Sequence, residues 1–420
     1  MKRNKTLKAL LSLALAAMLC IGGMTTAFAA PGPSANDDVR IKKVLEMPDG
    51  TGIPASGFSF DFTFTAKEYN NQPASSTIVN GAAMPTPTTI SIGFDNTDTA
   101  VTPAPKPGVT TYEKESGKIF DGTAWTAPGV YTYTVQETPT TYTNAATGET
   151  MTDSTAKYEV TAYVINNATN TGFEVNSITI KPIDPTGAVG SKIDVTPGSD
   201  NGFVFTNVYE KTAGGTDPLT QAALTISKTV AVDANADYGK FFPFVINTTP
   251  ASTQTGTVSY KAYLIEGGAI VAPTTANGTL TTNTDANGDT YIEVTAGTAL
   301  NVNLKHGQSL GFVDMLVGSS FDVTESAVTN YKGDIALTVN GVSSTVNGTG
   351  FGAAVTTGTQ SIGANTNAAA FTNTVDATAI TPTGITVNDL PFIGMMILAI
   401  GGFVAYVVIK SRKKTAAENE

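Results

Sequence analysis

Apolar and polar residues alternate at period two along most of this chain. Phe58, Phe60, Phe62 and Phe64 are the plainest case. Side chains alternate faces along a strand, so such runs predict half-buried β-strands. The same pattern predicts strands at 131–135, 158–164, 177–180 and 202–208, and in the second half at 224–230, 242–246, 259–265, 291–295, 300–304, 321–325 and 334–339. Asn287-Gly288 and Asn340-Gly341 suit tight hairpin turns. Pro85, Pro87, Pro103, Pro105 and Pro107 mark loops, where a missing backbone donor does little harm. No long helical period runs between the two ends. Many short strands with frequent turns indicate an all-β chain with a β-sandwich or open barrel in each domain.

Six polar residues break the alternation by sharing a phase with apolar ones. Asn207 runs with Phe203, Phe205 and Tyr209, and Asn373 with Ala369, Phe371 and Val375. Lys43 runs with Val39, Ile41 and Leu45, and Lys228 with Leu224, Ile226 and Val230. Glu137 follows Tyr131, Tyr133 and Val135, and Glu325 follows Phe321 and Val323. An inward Lys, Glu and Asn thus occur in that order twice, with Lys-to-Glu separations of 94 and 97 residues. Lys42 and Glu159 fall on the opposite phase and are excluded. A buried amide needs a partner, so each trio is expected to satisfy itself.

The duplicated pattern divides the chain into a first domain over 30–211, a linker at 212–219 carrying Gly214, Gly215 and Pro218, and a second domain over 220–376. The ends differ from the middle. Lys2, Arg3, Lys5 and Lys8 precede an apolar run and the small residues Ala27 and Ala29, which reads as a secretory signal peptide over 1–29. The one cysteine, Cys20, lies inside it, so the mature chain holds no disulfide and no thiol-based metal site. An apolar run over 390–409 is long enough to cross a bilayer as a helix. Lys410, Arg412, Lys413 and Lys414 open the 410–420 tail and place it in the cytoplasm.

Because basic residues gather at the ends, the part between them is more acidic than the overall charge of −11. That surface excludes nucleic acid as a partner. His306, the lone histidine, falls in a turn, and Asp285, Asn287 and Asp289 begin like a calcium loop whose twelfth position is Ala296 instead of an acid. No cofactor or metal site and no recognisable hydrolase centre emerges.

The first strand with Lys43, the run Pro128-Gly129-Val130-Tyr131 leading to Glu137, and Phe205-Thr206-Asn207 resemble the pilin isopeptide-linkage domain of T-antigen type backbone pilins of Gram-positive bacteria. Leu304-Lys305-His306-Gly307-Gln308-Ser309 leading to Glu325, and Phe371-Thr372-Asn373, resemble it again. The resemblance implies two tandem Ig-like β-sandwich domains, each closed by an amide bond between Lys43 and Asn207 or Lys228 and Asn373, with Glu137 or Glu325 assisting. Ile380-Thr381-Pro382-Thr383-Gly384, within the 377–389 segment, resembles a sorting signal cut between Thr383 and Gly384. It departs from the common L-P-x-T-G order.

The implied partners are a sortase, other pilin subunits in a covalent homopolymer, cell-wall peptidoglycan, and the membrane before sorting. Lys192, in Gly190-Ser191-Lys192, matches the stretch that carries the acceptor lysine, and Lys181 is the second candidate. The implied protein is a structural subunit of a wall-anchored surface pilus, not an enzyme. The alternative is an adhesin built on the same domains and anchored without polymerising.

Overall fold

The structure is a computed structural model that describes residues 38–74, 83–140, 142–144, 148–193, 203–376, 378, 395–396 and 398–399. The expected signal peptide and the sorting motif at 380–384 lie outside these residues, as does most of the 390–409 run. Met395, Met396, Leu398 and Ala399 are helical. No helix among the described residues is long and apolar enough to cross a membrane.

The described residues are nearly all β, and they divide into two compact units whose main boundary lies between Tyr209 and Glu210, with Pro48–Thr51 and Asn144–Glu149 grouped with the second. In the first, one sheet runs in the order Val109–Glu115, Lys42–Pro48, Val204–Lys211, Glu149–Thr152, Thr143–Asn144. The other runs Phe173–Ile183, Lys157–Asn166, Gly129–Glu137, Phe58–Tyr69, Gln72–Pro73, with Ile90–Phe94 also on Phe58–Tyr69. Phe58, Phe60, Phe62 and Phe64 are buried while Ser59, Asp61 and Thr65 are exposed, as their alternation requires.

The second unit repeats the plan with a larger sheet. Its opening strand Leu224–Val230 lies between Gln308–Val313 and the closing strand Ala368–Val375, which is flanked in turn by Tyr331–Val339. The smaller sheet runs Leu300–Leu304, Phe242–Thr249, Ser320–Glu325, Val355–Thr356. Asn340 and Gly341 both take positive φ, 49° and 79°, in the turn between Tyr331–Val339 and Val342–Asn347, as a two-residue hairpin demands. Within the stretch read as a linker, Ala213 is fully buried in the second core and its N–H donates to the Met315 carbonyl at 2.8 Å. Small residues there serve packing as well as chain reversal.

One feature positions the candidate site in both units. The opening and closing strands pair in parallel, with Lys43 opposite Phe205 and Leu45 opposite Asn207. In the second, Lys228 lies opposite Phe371 and Val230 opposite Asn373. Parallel neighbours cannot be joined by a tight turn, and here nearly the whole module forms the connection.

Candidate functional site

The matched register puts each asparagine one diagonal step from its lysine on the same face of one sheet, the inner face. Each glutamate comes from the other sheet: Glu137 is paired with Phe62 and Glu325 with Phe244. The three groups therefore meet in the middle of a sandwich. Lys43 and Asn207 are 0% exposed and Glu137 4%.

In the first unit, Lys43 Nζ donates to Glu137 Oε2 at 2.8 Å and also to Asn207 Oδ1. Asn207 Nδ2 donates to Glu137 Oε1 at 2.6 Å, so one carboxyl bridges the amine and the amide nitrogen. In the second, Lys228 Nζ donates to Glu325 Oε2 at 2.9 Å, and Asn373 Nδ2 donates to Glu325 Oε1. Each carboxyl thus serves both partners through its two oxygens.

The surroundings also repeat. Phe60 caps the Lys43 amine at 4.2 Å from the ring centroid, and Phe242 caps Lys228 at 4.0 Å. Phe62 packs on Phe205 with centroids 4.9 Å apart, and Phe244 on Phe371 at 5.0 Å. This apolar casing disfavours charge. Burial pushes the Lys43 amine down to about 8, partly opposed by the Glu137 carboxylate, and pushes Lys228 down to about 8 in the same way. Burial likewise pushes the Glu137 carboxyl up, against the attraction of Lys43. Such an arrangement can hold a nucleophilic amine against an amide beside a carboxyl able to exchange protons with both.

The two sites differ around the asparagine. Asn207 Oδ1 accepts the Ser154 N–H at 2.9 Å, and Asn207 Nδ2 donates to Asp153 Oδ1 at 3.2 Å. Asn373 Oδ1 is buried without a hydrogen-bond partner among the described residues. Beside it, on the neighbouring strand, lies Gly333. Sequence reasoning missed Asp153, Ser154 and Gly333, because none stands in a periodic run that marks its neighbours. The Phe60 and Phe242 caps were visible as strand residues but not as part of the site.

Lys42 forms an ion pair with Glu113 at 2.9 Å, and Glu159 pairs with Lys67 at 2.5 Å and Lys181 at 3.4 Å, away from either trio. Lys192 is exposed, with no ion pair among the described residues. His306 accepts the Val230 N–H through Nδ1 at 2.9 Å, a turn-closing role. Asp285 accepts the N–H groups of Asn287 and Asp289, each at 2.9 Å, and forms the hairpin turn. Among the described residues no acid, histidine or cysteine cluster could hold a metal ion. Thr383, Gly384, Ile380, Thr381 and Pro382 lie outside the described residues.

Residues 39–210 match the model of the FctA family, described as a Spy0128-like isopeptide-containing domain. No curated protein matches the chain. Solved structures similar to it include the major pilin of Streptococcus pyogenes, at 17% identity over 81% of this chain and 99% of that one, with a TM-score of 0.32. The T3.2 major pilin of Streptococcus pyogenes is 19% identical over 82% of this chain and 99% of that one, with a TM-score of 0.29. The pilus-presented adhesin Spy0125 (Cpa) is 19% identical over 47% of this chain and 35% of that one, with a TM-score of 0.24.

Proposed function

We propose that this chain, whose residues 39–210 match the Spy0128-like isopeptide-containing domain model, is a structural shaft subunit of a surface pilus whose two modules each close themselves with a Lys–Asn amide bond. The observation that carries this reading is repetition. Two modules with different loops and different sheet sizes hold the same lysine, asparagine and glutamate in the same register, under the same aromatic caps.

The chemistry follows from the casing. The neutral Lys43 amine attacks Cγ of Asn207, forming the Nζ–Cγ bond. One amine proton passes to the Glu137 carboxyl, which gives one to Nδ2. The Cγ–Nδ2 bond then breaks, the nitrogen leaves as ammonia, and Glu137 ends in its starting state. Lys228, Asn373 and Glu325 do the same in the second module. An unactivated amide is a poor electrophile, but positioning of this kind supplies roughly 7–11 kcal/mol of a barrier. Each module reacts once, so the process is self-modification and the chain is a substrate, not an enzyme.

A bond from the opening to the closing strand carries tension across a module without loading the strands between. That property suits a fibre. In the proposed assembly a sortase cuts between Thr383 and Gly384 and joins Thr383 to a lysine of the next subunit, and finally to peptidoglycan, while the 390–409 segment holds the chain at the membrane. Exposure favours Lys192 as the acceptor over Lys181, whose amine is engaged by Glu159.

Intact-mass measurement of the mature chain tests the core of this reading. The expected mass is two ammonia molecules below that of the sequence, and Glu137→Ala restores one of them. A chain with no deficit overturns the proposal.

A further inference from the structure

The two trios are alike, yet the asparagine of the first has contacts that the second lacks. Asn207 Nδ2, the nitrogen that would leave, donates to Asp153 Oδ1 at 3.2 Å as well as to Glu137. Asn207 Oδ1 accepts the Ser154 backbone N–H at 2.9 Å as well as the lysine amine. Asp153 is itself held by Thr140, whose N–H donates to Oδ2 at 3.0 Å and whose hydroxyl donates to Oδ1 at 2.6 Å. Glu137 is buried, but Asp153 and Ser154 are only half-buried, so they stand between the trio and solvent. Among the described residues of the second module, Asn373 Nδ2 donates to Glu325 alone and Asn373 Oδ1 has no partner.

We infer that Asp153 and the Ser154 N–H form an accessory catalytic pair, particular to the first module, that speeds closure of the Lys43–Asn207 bond. The inference rests on the bond proposed above. As Nζ attacks Cγ, negative charge grows on Oδ1, and an N–H already aimed at that oxygen stabilises it. As Cγ–Nδ2 breaks, the departing nitrogen becomes ammonia, a better hydrogen-bond donor toward a carboxylate than toward a neutral acceptor. Asp153 receives that ammonia at the edge of the core and hands it to water. It gains and loses no proton overall, since Glu137 supplies the one Nδ2 needs. Thr140 is a positioning residue, acting only through Asp153. The second module must close without either contact, so its reaction is the slower of the two.

The test follows freshly translated full-length chain by mass spectrometry, with digestion so that ammonia loss is timed in each module separately. Asp153→Asn is expected to slow closure of the first bond roughly ten- to hundredfold while leaving the second at its original rate. Asp153→Ala is expected to slow it similarly and to recover part of the rate in added formate, which a purely structural role for the side chain would not produce. Thr140→Ala is expected to give a smaller slowing. An unchanged first-bond rate in Asp153→Asn, or a slow Asp153→Ala that formate does not help, overturns the inference while the bond itself stands. A wild-type chain that keeps both ammonia molecules overturns the bond, and this inference with it.

Discussion

Within each trio the decisive quantity is the proton on the lysine. At an ordinary lysine pKa an amine at neutral pH is almost wholly charged and cannot attack a carbonyl. With Lys43 and Lys228 pushed by burial to about 8, the neutral fraction becomes appreciable near neutrality and rises about tenfold per pH unit below that value. Bond formation in both modules is therefore expected to accelerate as pH rises toward about 8. Above that the amine is neutral and the rate levels off. Timed ammonia loss over a pH series gives the profile. Phe60→Ala opens the cap over Lys43 and admits water, so it is expected to move the rising limb of the first module to higher pH and leave the second in place. A first-module rate that ignores pH would remove the neutral amine from the mechanism.

Strands matter here because they fix which side chains can meet. The parallel pairing of opening and closing strands fixes the diagonal between lysine and asparagine, and Tyr331–Val339 adds a second constraint by placing Gly333 opposite Asn373. A Cβ at Gly333 would lie 2.8 Å from Val355 Cγ1 and 3.2 Å from Asn373 Oδ1. Gly333→Ala is therefore expected to displace Asn373 and slow or abolish the second ammonia loss while the first proceeds, as peptide mapping would reveal. Bonding Lys43 to Asn207 closes a loop spanning 164 residues. By analogy with disulfides of that span, removing the link costs on the order of 5 kcal/mol. Asn207→Ala should then lower the first module's unfolding temperature by roughly 10–20 °C in calorimetry. Much of this was legible in the sequence. Phase alone marked the six trio residues, because a lysine or glutamate aligned with tyrosines and phenylalanines has only the core to point into. Phase could not say that the glutamate faces the other two from the opposite sheet. Nor could it reveal Asp153, which follows the strand Glu149–Thr152 and reaches Asn207 only through the tertiary fold.

For the whole molecule, the two proposed internal bonds make mechanical sense only if tension enters and leaves through covalent joints. Non-covalent contacts between subunits would part before an amide bond inside one did. The proposed joint runs from Thr383 of one subunit to a lysine of the next, and the lysines of this acidic chain narrow the choice. Lys43 and Lys228 are buried, Lys42, Lys67, Lys106, Lys114 and Lys181 are ion-paired, and Lys157 and Lys192 are exposed with no ion pair among the described residues, Lys192 being the one in the Gly190-Ser191-Lys192 stretch. Expressed with its sortase and run on denaturing gels, cell-wall material should give a ladder of sizes, and Lys192→Ala should collapse it to a single wall-linked band. Lys181→Ala should leave the ladder intact, because its amine is held by Glu159. If Lys192→Ala keeps its ladder and Lys181→Ala loses it, the acceptor is the paired lysine, and the sortase must break that ion pair to reach it. A single band from the unaltered chain would instead fit a monomeric anchored adhesin, in which the two internal bonds resist load on one subunit and no fibre exists.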